Sequence, residues 1–504
     1  MVKKQKPLRR AAGILMPVSS LPSNYGIGTL GKDAFKFVDF LKAAGQTYWQ
    51  VLPVCPTSYG DSPYQSFSTF AGNPYFIDID LLIDEGLLTK SEADSYDFGS
   101  DKEAVDYGKL FESRFELLKR AFSRSSHKEE QEYIFFHKEY AENLDDYCFF
   151  MSLKFYFDNL PWTQWDDDIR LRKPKALLKY REALAEDIDF WWFLQYKFFS
   201  QWNKLKEYAN SLGIEIVGDL PIYVAMDSAD TWTDYTQFLL DYDRKPIDVA
   251  GVPPDYFSAT GQLWGNPLYD WDKMEQNNFA WWKRRMSFCA NLYDIIRIDH
   301  FIGFVRYYAI PAEDDTAMGG EYREGPGIKL LDAIGEVIGS KKIIAEDLGV
   351  VPPAVVRLLA KTGYPGMKVL MFGLDENPEN SFLPHNYERN CVVYGGTHDN
   401  DTLRGYYDAR PPRKLRHTME YLNVKRKKDL VWATIKAGFM SVADTVIFQM
   451  QDYLELPSKA RMNYPSTLGG NWEWRSLRED FSDELAQRIL TTTKTYARTT
   501  EAKK

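Results

Sequence analysis

Three apolar runs in this chain each end on a carboxylate: Ile295-Ile296-Arg297-Ile298-Asp299, Ile343-Ile344-Ala345-Glu346 and Val392-Val393-Tyr394-Gly395-Gly396-Thr397-His398-Asp399. A β-branched run closed by a charge reads as a buried parallel strand whose last residue emerges at the C-terminal rim of a sheet. Three acids carried to one rim by three strands point to chemistry at a glycosidic bond. That chemistry needs one ionised carboxylate beside the anomeric carbon and a second, protonated one beside the leaving oxygen.

The acids differ in their settings. Arg297 and Asp299 are two apart on a strand and project from one face, so the guanidinium favours an ionised, nucleophilic Asp299. Glu346 follows Ile343-Ile344-Ala345. Burial there, with the charge of Asp299 nearby, raises its pKa toward that of a general acid. Asp399 lies in Thr397-His398-Asp399-Asn400-Asp401-Thr402, where an N-cap or Asx turn is the ordinary explanation. A barrel-closing ion pair, a capping pair and an Asx turn each explain one acid. Their coincidence at three strand ends favours catalysis. Metal ligation by His300 and His398 with Asp299 and Asp399 is the competing use. The chain lacks an H-x-x-x-H or H-x-H pair, and Arg297 would repel a cation, so no metal requirement is expected. No G-x-S-x-G elbow supports a serine hydrolase.

Eight strand candidates can position these groups: Gly13–Pro17, Tyr48–Val54, Glu215–Leu220, Asp294–Asp299, Lys342–Glu346, Met367–Phe372, Cys391–Thr397 and Thr445–Met450. Helical patterns fill many gaps. Ala34, Phe37, Val38, Leu41 and Ala44 share a face that stops at Gly45, and the segment from Pro353 opens on proline and stops near Gly363. Strand and helix repeated eight times predict an α/β fold, a (β/α)8 TIM barrel, with large helical and loop insertions on its C-terminal face. An open doubly wound sheet would need a G-x-G-x-x-G or Walker A segment, and neither is present. The expected organisation is one catalytic barrel over 1–504. A helix-rich, aromatic insertion spans 82–195 between strands two and three, and a lid-like insertion spans 224–285 between strands three and four. The turn-rich stretch from Pro253 to Pro267 reads as a binding loop with little strand pattern, and the tail after Ala497 as frayed and polar.

Net charge is −10 in 504 residues, which disfavours nucleic acid and anionic membranes as partners. The apolar stretch after the basic start stops at Pro17, too early for a signal-peptide core, and no run is long enough to span a membrane. The four cysteines are scattered, as expected for reduced thiols in a cytoplasmic protein. Aromatic residues make up 15% of the chain, with 14 Trp and 32 Tyr, enough for some rings to stack on the flat C–H faces of sugars.

Several motifs resemble the amylomaltases, also called 4-α-glucanotransferases or disproportionating enzymes, of the α-amylase superclan. They are Gly13-Ile14-Leu15-Met16-Pro17-Val18-Ser19-Ser20-Leu21-Pro22, Tyr59-Gly60-Asp61-Ser62-Pro63-Tyr64-Gln65, Gly72-Asn73-Pro74-Tyr75, Gly218-Asp219-Leu220-Pro221-Ile222-Tyr223-Val224, Arg297-Ile298-Asp299-His300-Phe301, Ala345-Glu346-Asp347-Leu348-Gly349 and Thr397-His398-Asp399-Asn400-Asp401. The resemblance covers nearly the whole chain. It implies that Asp299 is the nucleophile, Glu346 the acid/base and Asp399 the group that orders sugar hydroxyls. It places Arg297, His398 and Asp219 around the cleaved bond, Tyr64 under the donor sugar, and Gln262 with Trp264 on a flap over the acceptor side. It implies malto-oligosaccharide donors and acceptors and no organic cofactor. Ile302, where many relatives carry Arg, and Tyr322, where they often carry Trp, depart from the pattern and bear on acceptor preference. An α-glucan hydrolase with the same carboxylates and a non-catalytic glucan-binding barrel are the alternative readings; oligomeric state is not encoded legibly.

Overall fold

A computed structural model of the chain describes residues 3–58, 60–254 and 258–499. Tyr59, Asp255-Tyr256-Phe257 and the last five residues of the tail, all included in the expectations above, lie outside the described residues.

Twelve strands are named among the described residues. They are β1 (Ala11–Leu15), β2 (Tyr48–Gln50), β3 (Glu215–Leu220), β4 (Asp248–Val252), β5 (Gln262–Pro267), β6 (Ile295–Ile298), β7 (Arg306–Pro311), β8 (Glu321–Glu324), β9 (Lys342–Ala345), β10 (Gly366–Val369), β11 (Cys391–Tyr394) and β12 (Thr445–Gln449). Eight of them form one parallel sheet in the order β10-β11-β12-β1-β2-β3-β6-β9. The seam between β9 and β10 is bridged by the Ala345 N–H on the Pro365 carbonyl at 3.0 Å and by the Met367 N–H on Asp347 Oδ1 at 2.7 Å. The sheet is a nearly closed barrel, a TIM-type α/β fold.

The strands are apolar because both faces are covered. Ile295, Ile296 and Ile298 of β6, Ile343 to Ala345 of β9 and Val392 to Tyr394 of β11 are all buried. Every barrel strand lies within or beside an expected run, but most stop short of its C-terminal end. The run to Phe372 turns at Leu370 into a short helix, Leu370–Gly373. The run to Thr397 leaves the sheet after Tyr394 and enters the bend at Gly395 and Gly396. Polar rim residues are drawn out of the ladder by the loops they serve. The expected helices run over Lys32–Ala43 and Pro353–Thr362. Gly45 (φ 68°) and Gly363 (φ 74°) follow them in the left-handed conformation that ends a helix.

Between β2 and β3 the chain forms helices that include Tyr107–Arg124, Gln131–Tyr156 and Ala185–Ser211. Their aromatic faces interlock, with Phe115 on Trp191 at 5.5 Å and Phe136 on Trp192 at 6.1 Å between centroids. Gln195 of this group accepts from the Gly72 N–H at 2.7 Å and donates to its carbonyl at 2.9 Å. The insertion thereby anchors the loop that carries Tyr64.

The connection from β3 to β6 corrects the expectation of a loop with little strand pattern. It contains β4 and β5, which join β7 and β8 in an antiparallel sheet of order β5-β4-β7-β8, and the helices Trp271–Gln276 and Ala280–Leu292. Gly265, Asn266 and Pro267 concealed the strand, and a register shift between Val249 and Gly251 accommodates them. At Arg498 the expectation of a frayed tail is corrected as well. Arg498 is fully buried, and its guanidinium donates to the carbonyls of Phe439, Ala11, Asp444, Ser441 and Ala443 at 2.9–3.3 Å. A planar fork of five donors ties the end of the helix Leu430–Met440 and the segment after it to β1, sharing three of those carbonyls with Arg10.

Candidate active site

Register brings the acids together. β3 and β6 pair with Asp219 beside Arg297, and β6 and β9 pair with Arg297 beside Ile344 and Ile298 beside Ala345. The ladder continues past the strand ends: the Asp299 N–H donates to the Leu220 carbonyl at 2.9 Å and the Glu346 N–H to the Ile298 carbonyl at 3.0 Å. One step further in register, Glu346 stands level with Asp299 on the neighbouring strand. Because side chains alternate along a strand, Asp347 points away and fills the β9–β10 seam.

Arg297 is buried between two acids. Its Nη1 donates to Asp219 Oδ1 at 2.6 Å, to Asp219 Oδ2 at 2.7 Å and to Asp299 Oδ1 at 3.2 Å. Tyr64 caps the cluster, donating its hydroxyl to Asp219 Oδ2 at 2.9 Å. Its ring stacks on His398 at 4.8 Å, with the hydroxyl 3.3 Å from His398 Nδ1. Burial and the charge of Asp219 push the Tyr64 phenol well up, so it remains a donor.

The two central acids titrate apart. Burial pushes Asp299 up to about 6, opposed by Arg297 and His398 and assisted by Asp219 and Asp399. Burial, followed by the charge of Asp299, pushes Glu346 up to about 8, against Arg297 and two backbone N–H groups. Those donors are His300, at 2.8 Å from Oε2, and Leu348, at 2.6 Å from Oε1. At neutral pH the arrangement holds an ionised aspartate next to a protonated glutamic acid. His300 has a left-handed backbone (φ 48°), and burial lowers its pKa to about 4, so its imidazole is neutral.

Asp399 is reached by a turn beyond β11, in which the Asn400 N–H donates to the Thr397 carbonyl at 3.0 Å. Its side chain is 46% exposed; Asn463 Nδ2 donates to Oδ1 at 2.6 Å, and His398 Nε2 lies 3.4 Å from the same oxygen.

Tyr64, Gln262, Trp264, Asp299, His398 and Asp399 line one cavity of about 350 Å³ at the C-terminal rim. Asp219, Arg297 and Glu346 are not among its lining residues: Asp219 and Arg297 belong to the buried cluster that holds Asp299, and the Glu346 carboxylate is bonded to the His300 and Leu348 N–H groups. Trp264 sits edge-on to His300 at 5.0 Å and donates its Nε1–H to Gln262 Oε1 at 3.1 Å. Ile302 and Tyr322 do not line this cavity. Ile302 is buried, and Tyr322 is 48% exposed and stacks with Arg306 at 4.2 Å. Sequence reasoning missed Tyr223, Asn463 and Trp472, which also line the cavity. Asn463 and Trp472 lie outside every periodic segment. The cue was a polar amide and a tryptophan in the Gly-rich, Pro-containing stretch Arg461-Met462-Asn463-Tyr464-Pro465-Ser466-Thr467-Leu468-Gly469-Gly470-Asn471-Trp472.

A parallel α/β barrel with acids converging at the C-terminal ends of its strands defines a barrel enzyme. The pattern of glycoside hydrolase family 77, described as 4-alpha-glucanotransferase, matches residues 16–479. A 4-alpha-glucanotransferase of Clostridium butyricum is 47% identical over 96% of this chain and 100% of its own. One from Thermus thermophilus is 46% identical over 96% and 98%. Among solved structures, the amylomaltase of Streptococcus agalactiae in complex with acarbose superposes with a TM-score of 0.94 at 41% identity, covering 97% of this chain and all of that one. The chain belongs to glycoside hydrolase family 77, the amylomaltases, and is an enzyme with 4-α-glucanotransferase activity.

Proposed function

We propose that the barrel transfers α-1,4-glucan segments by two displacements at Asp299. Glu346 protonates the leaving glycosidic oxygen while Asp299 attacks the anomeric carbon, which gives a glucanosyl-enzyme. Glu346, now a base, takes the proton of an incoming 4-hydroxyl, and the α-1,4 bond re-forms with net retention. Retention calls for carboxyl groups about 5–5.5 Å apart. Neighbouring strands lie about 4.7–4.9 Å apart, so two acids level on adjacent strands are spaced compatibly with that requirement. The level placement of Asp299 and Glu346, with their pKa values pushed to about 6 and about 8, is the observation that carries the reading.

Asp399 holds the hydroxyls of the reacting sugar. Arg297 and Asp219 fix Asp299, while the Tyr64 ring, backed by His398 at 4.8 Å, lies under the donor sugar and His398 stands beside the cleaved bond. Gln262 and Trp264, on β5, cover the acceptor side and exclude water from the intermediate. The acarbose complex of the streptococcal relative supports malto-oligosaccharides as the ligands here. Four unpaired cysteines, three of them buried, support a reducing, cytoplasmic compartment. Incubation with maltotriose tests the reading. Transfer yields glucose plus a ladder of longer chains; a product set containing only shorter sugars would identify a hydrolase instead.

A further inference from the structure

Asp399 is the most exposed of the three acids and stands five residues beyond the end of β11, so sheet pairing does not fix it. A second segment, 456–471, runs along its turn and is bonded to it at successive points. Thr402 Oγ1 donates to the Leu456 carbonyl at 2.7 Å, and Ser458 Oγ donates to Asp401 Oδ2 at 2.7 Å. At the site end, Asn463 Nδ2 donates to Asp399 Oδ1 at 2.6 Å. Arg461 joins the two sides there. Its Nη2 donates to the Asp399 carbonyl at 2.7 Å and its Nε to the Asn463 carbonyl at 2.7 Å. The guanidinium lies 4.1 Å from the Tyr464 ring centroid, and the Tyr464 N–H is held by Asn471 Oδ1 at 2.8 Å. Pro465, Ser466 and Thr467 of the same segment line the cavity.

We propose that Arg461 is a positioning residue for the transfer reaction. Its guanidinium sets Asp399, Asn463 and the Pro465–Thr467 wall of the cavity in one fixed relation. Two donors in one rigid plane bond two carbonyls at once, a geometry that an ammonium group does not reproduce. The inference rests on the role assigned to Asp399 above. It goes further in placing control of that acid on a residue that bonds it through the backbone.

The test compares the wild-type enzyme with Arg461→Lys, Asp399→Asn and the double variant. Maltotriose disproportionation gives kcat and KM, calorimetry gives acarbose affinity, and thermal unfolding reports folding. A shift of the acid by about 1 Å costs up to about 100-fold. Arg461→Lys is therefore expected to lower kcat by about tenfold or more, with a smaller change in KM and an unfolding midpoint near that of wild type. In the Asp399→Asn background the same replacement costs less acarbose affinity than it does in wild type, because the carboxylate it positions has already been altered. A wild-type kcat in Arg461→Lys overturns the inference, as does a loss of acarbose affinity that is equal in both backgrounds. Either result leaves the functional reading standing; a wild-type enzyme that fails to disproportionate maltotriose removes that reading itself.

Discussion

Arg297 and Asp219 form a buried pair in which one guanidinium nitrogen, Nη1, bonds both carboxylate oxygens, at 2.6 and 2.7 Å. The same nitrogen is 3.2 Å from Asp299. Asp219 therefore absorbs much of the positive charge that would otherwise fall on Asp299, and leaves Asp299 a more basic carboxylate than a simple ion pair would. Removing Asp219 changes both stability and titration. Asp219→Asn should lower unfolding free energy by about 3–5 kcal/mol, as for other broken buried pairs, measured by denaturant titration. It also removes a charge that raises the Asp299 pKa, so the acid limb of the rate profile should move to lower pH.

The wild-type pH profile follows from the two central acids. As the proposed nucleophile, Asp299 must be ionised, so kcat/KM should rise as pH increases through about 6. As the proposed acid, Glu346 must be protonated, so kcat/KM should fall as pH increases through about 8. The two values belong to the pair, and the predicted profile is a bell with its maximum near neutrality. Initial rates on maltotriose across the range check it.

Glu346→Gln should lower transfer from maltotriose by about 10²–10⁴-fold, the usual span for a general acid. It should also stabilise the fold. The raised pKa means that Glu346 contributes most to stability while protonated, below its unfolded value, and that this contribution is lost as pH rises to about 8. Gln cannot ionise, so the gain in unfolding midpoint over wild type should grow with pH across that window. Thermal unfolding of both proteins from acid to mild alkali measures it.

Trp264 faces the cavity from β5 and packs on His300, the residue between Asp299 and Phe301 whose N–H holds Glu346. Trp264→Ala should raise the ratio of hydrolysis to transfer, read from reducing ends formed per glucan rearranged. An unchanged ratio would remove Trp264 from the task of excluding water.

Chelation should leave the rate unchanged, because the chemistry assigned here uses carboxyl groups, a guanidinium and a phenol. Maltotriose assays before and after dialysis against a chelator check this.

How legible the site was depended on which force placed each residue. Asp299 and Glu346 could be read because buried parallel strands must be continuously apolar, so a charge at the end of Ile295–Ile298 or Ile343–Ala345 marks the rim. Arg297 followed from the two-residue period. Asp399 could be read as a candidate, but its support could not, because Arg461 and Asn463 meet it across sixty residues of chain through loop hydrogen bonds that leave no periodicity. The antiparallel sheet was hidden for another reason: β5 carries Gly265 and Pro267, residues that signal turns when read locally. Arg498 escaped because a basic residue near a chain end looks solvated until the carbonyls it bonds are placed around it.

In the proposed reaction, Asp299 carries the glucan between donor and acceptor. The most direct measurement uses the Glu346→Gln enzyme and an α-maltosyl fluoride, whose leaving group departs without acid assistance, followed by intact-mass analysis and peptide mapping. A maltosyl adduct is expected on the peptide containing Asp299. An adduct on a different carboxylate, or undiminished transfer by Asp299→Asn, would contradict it.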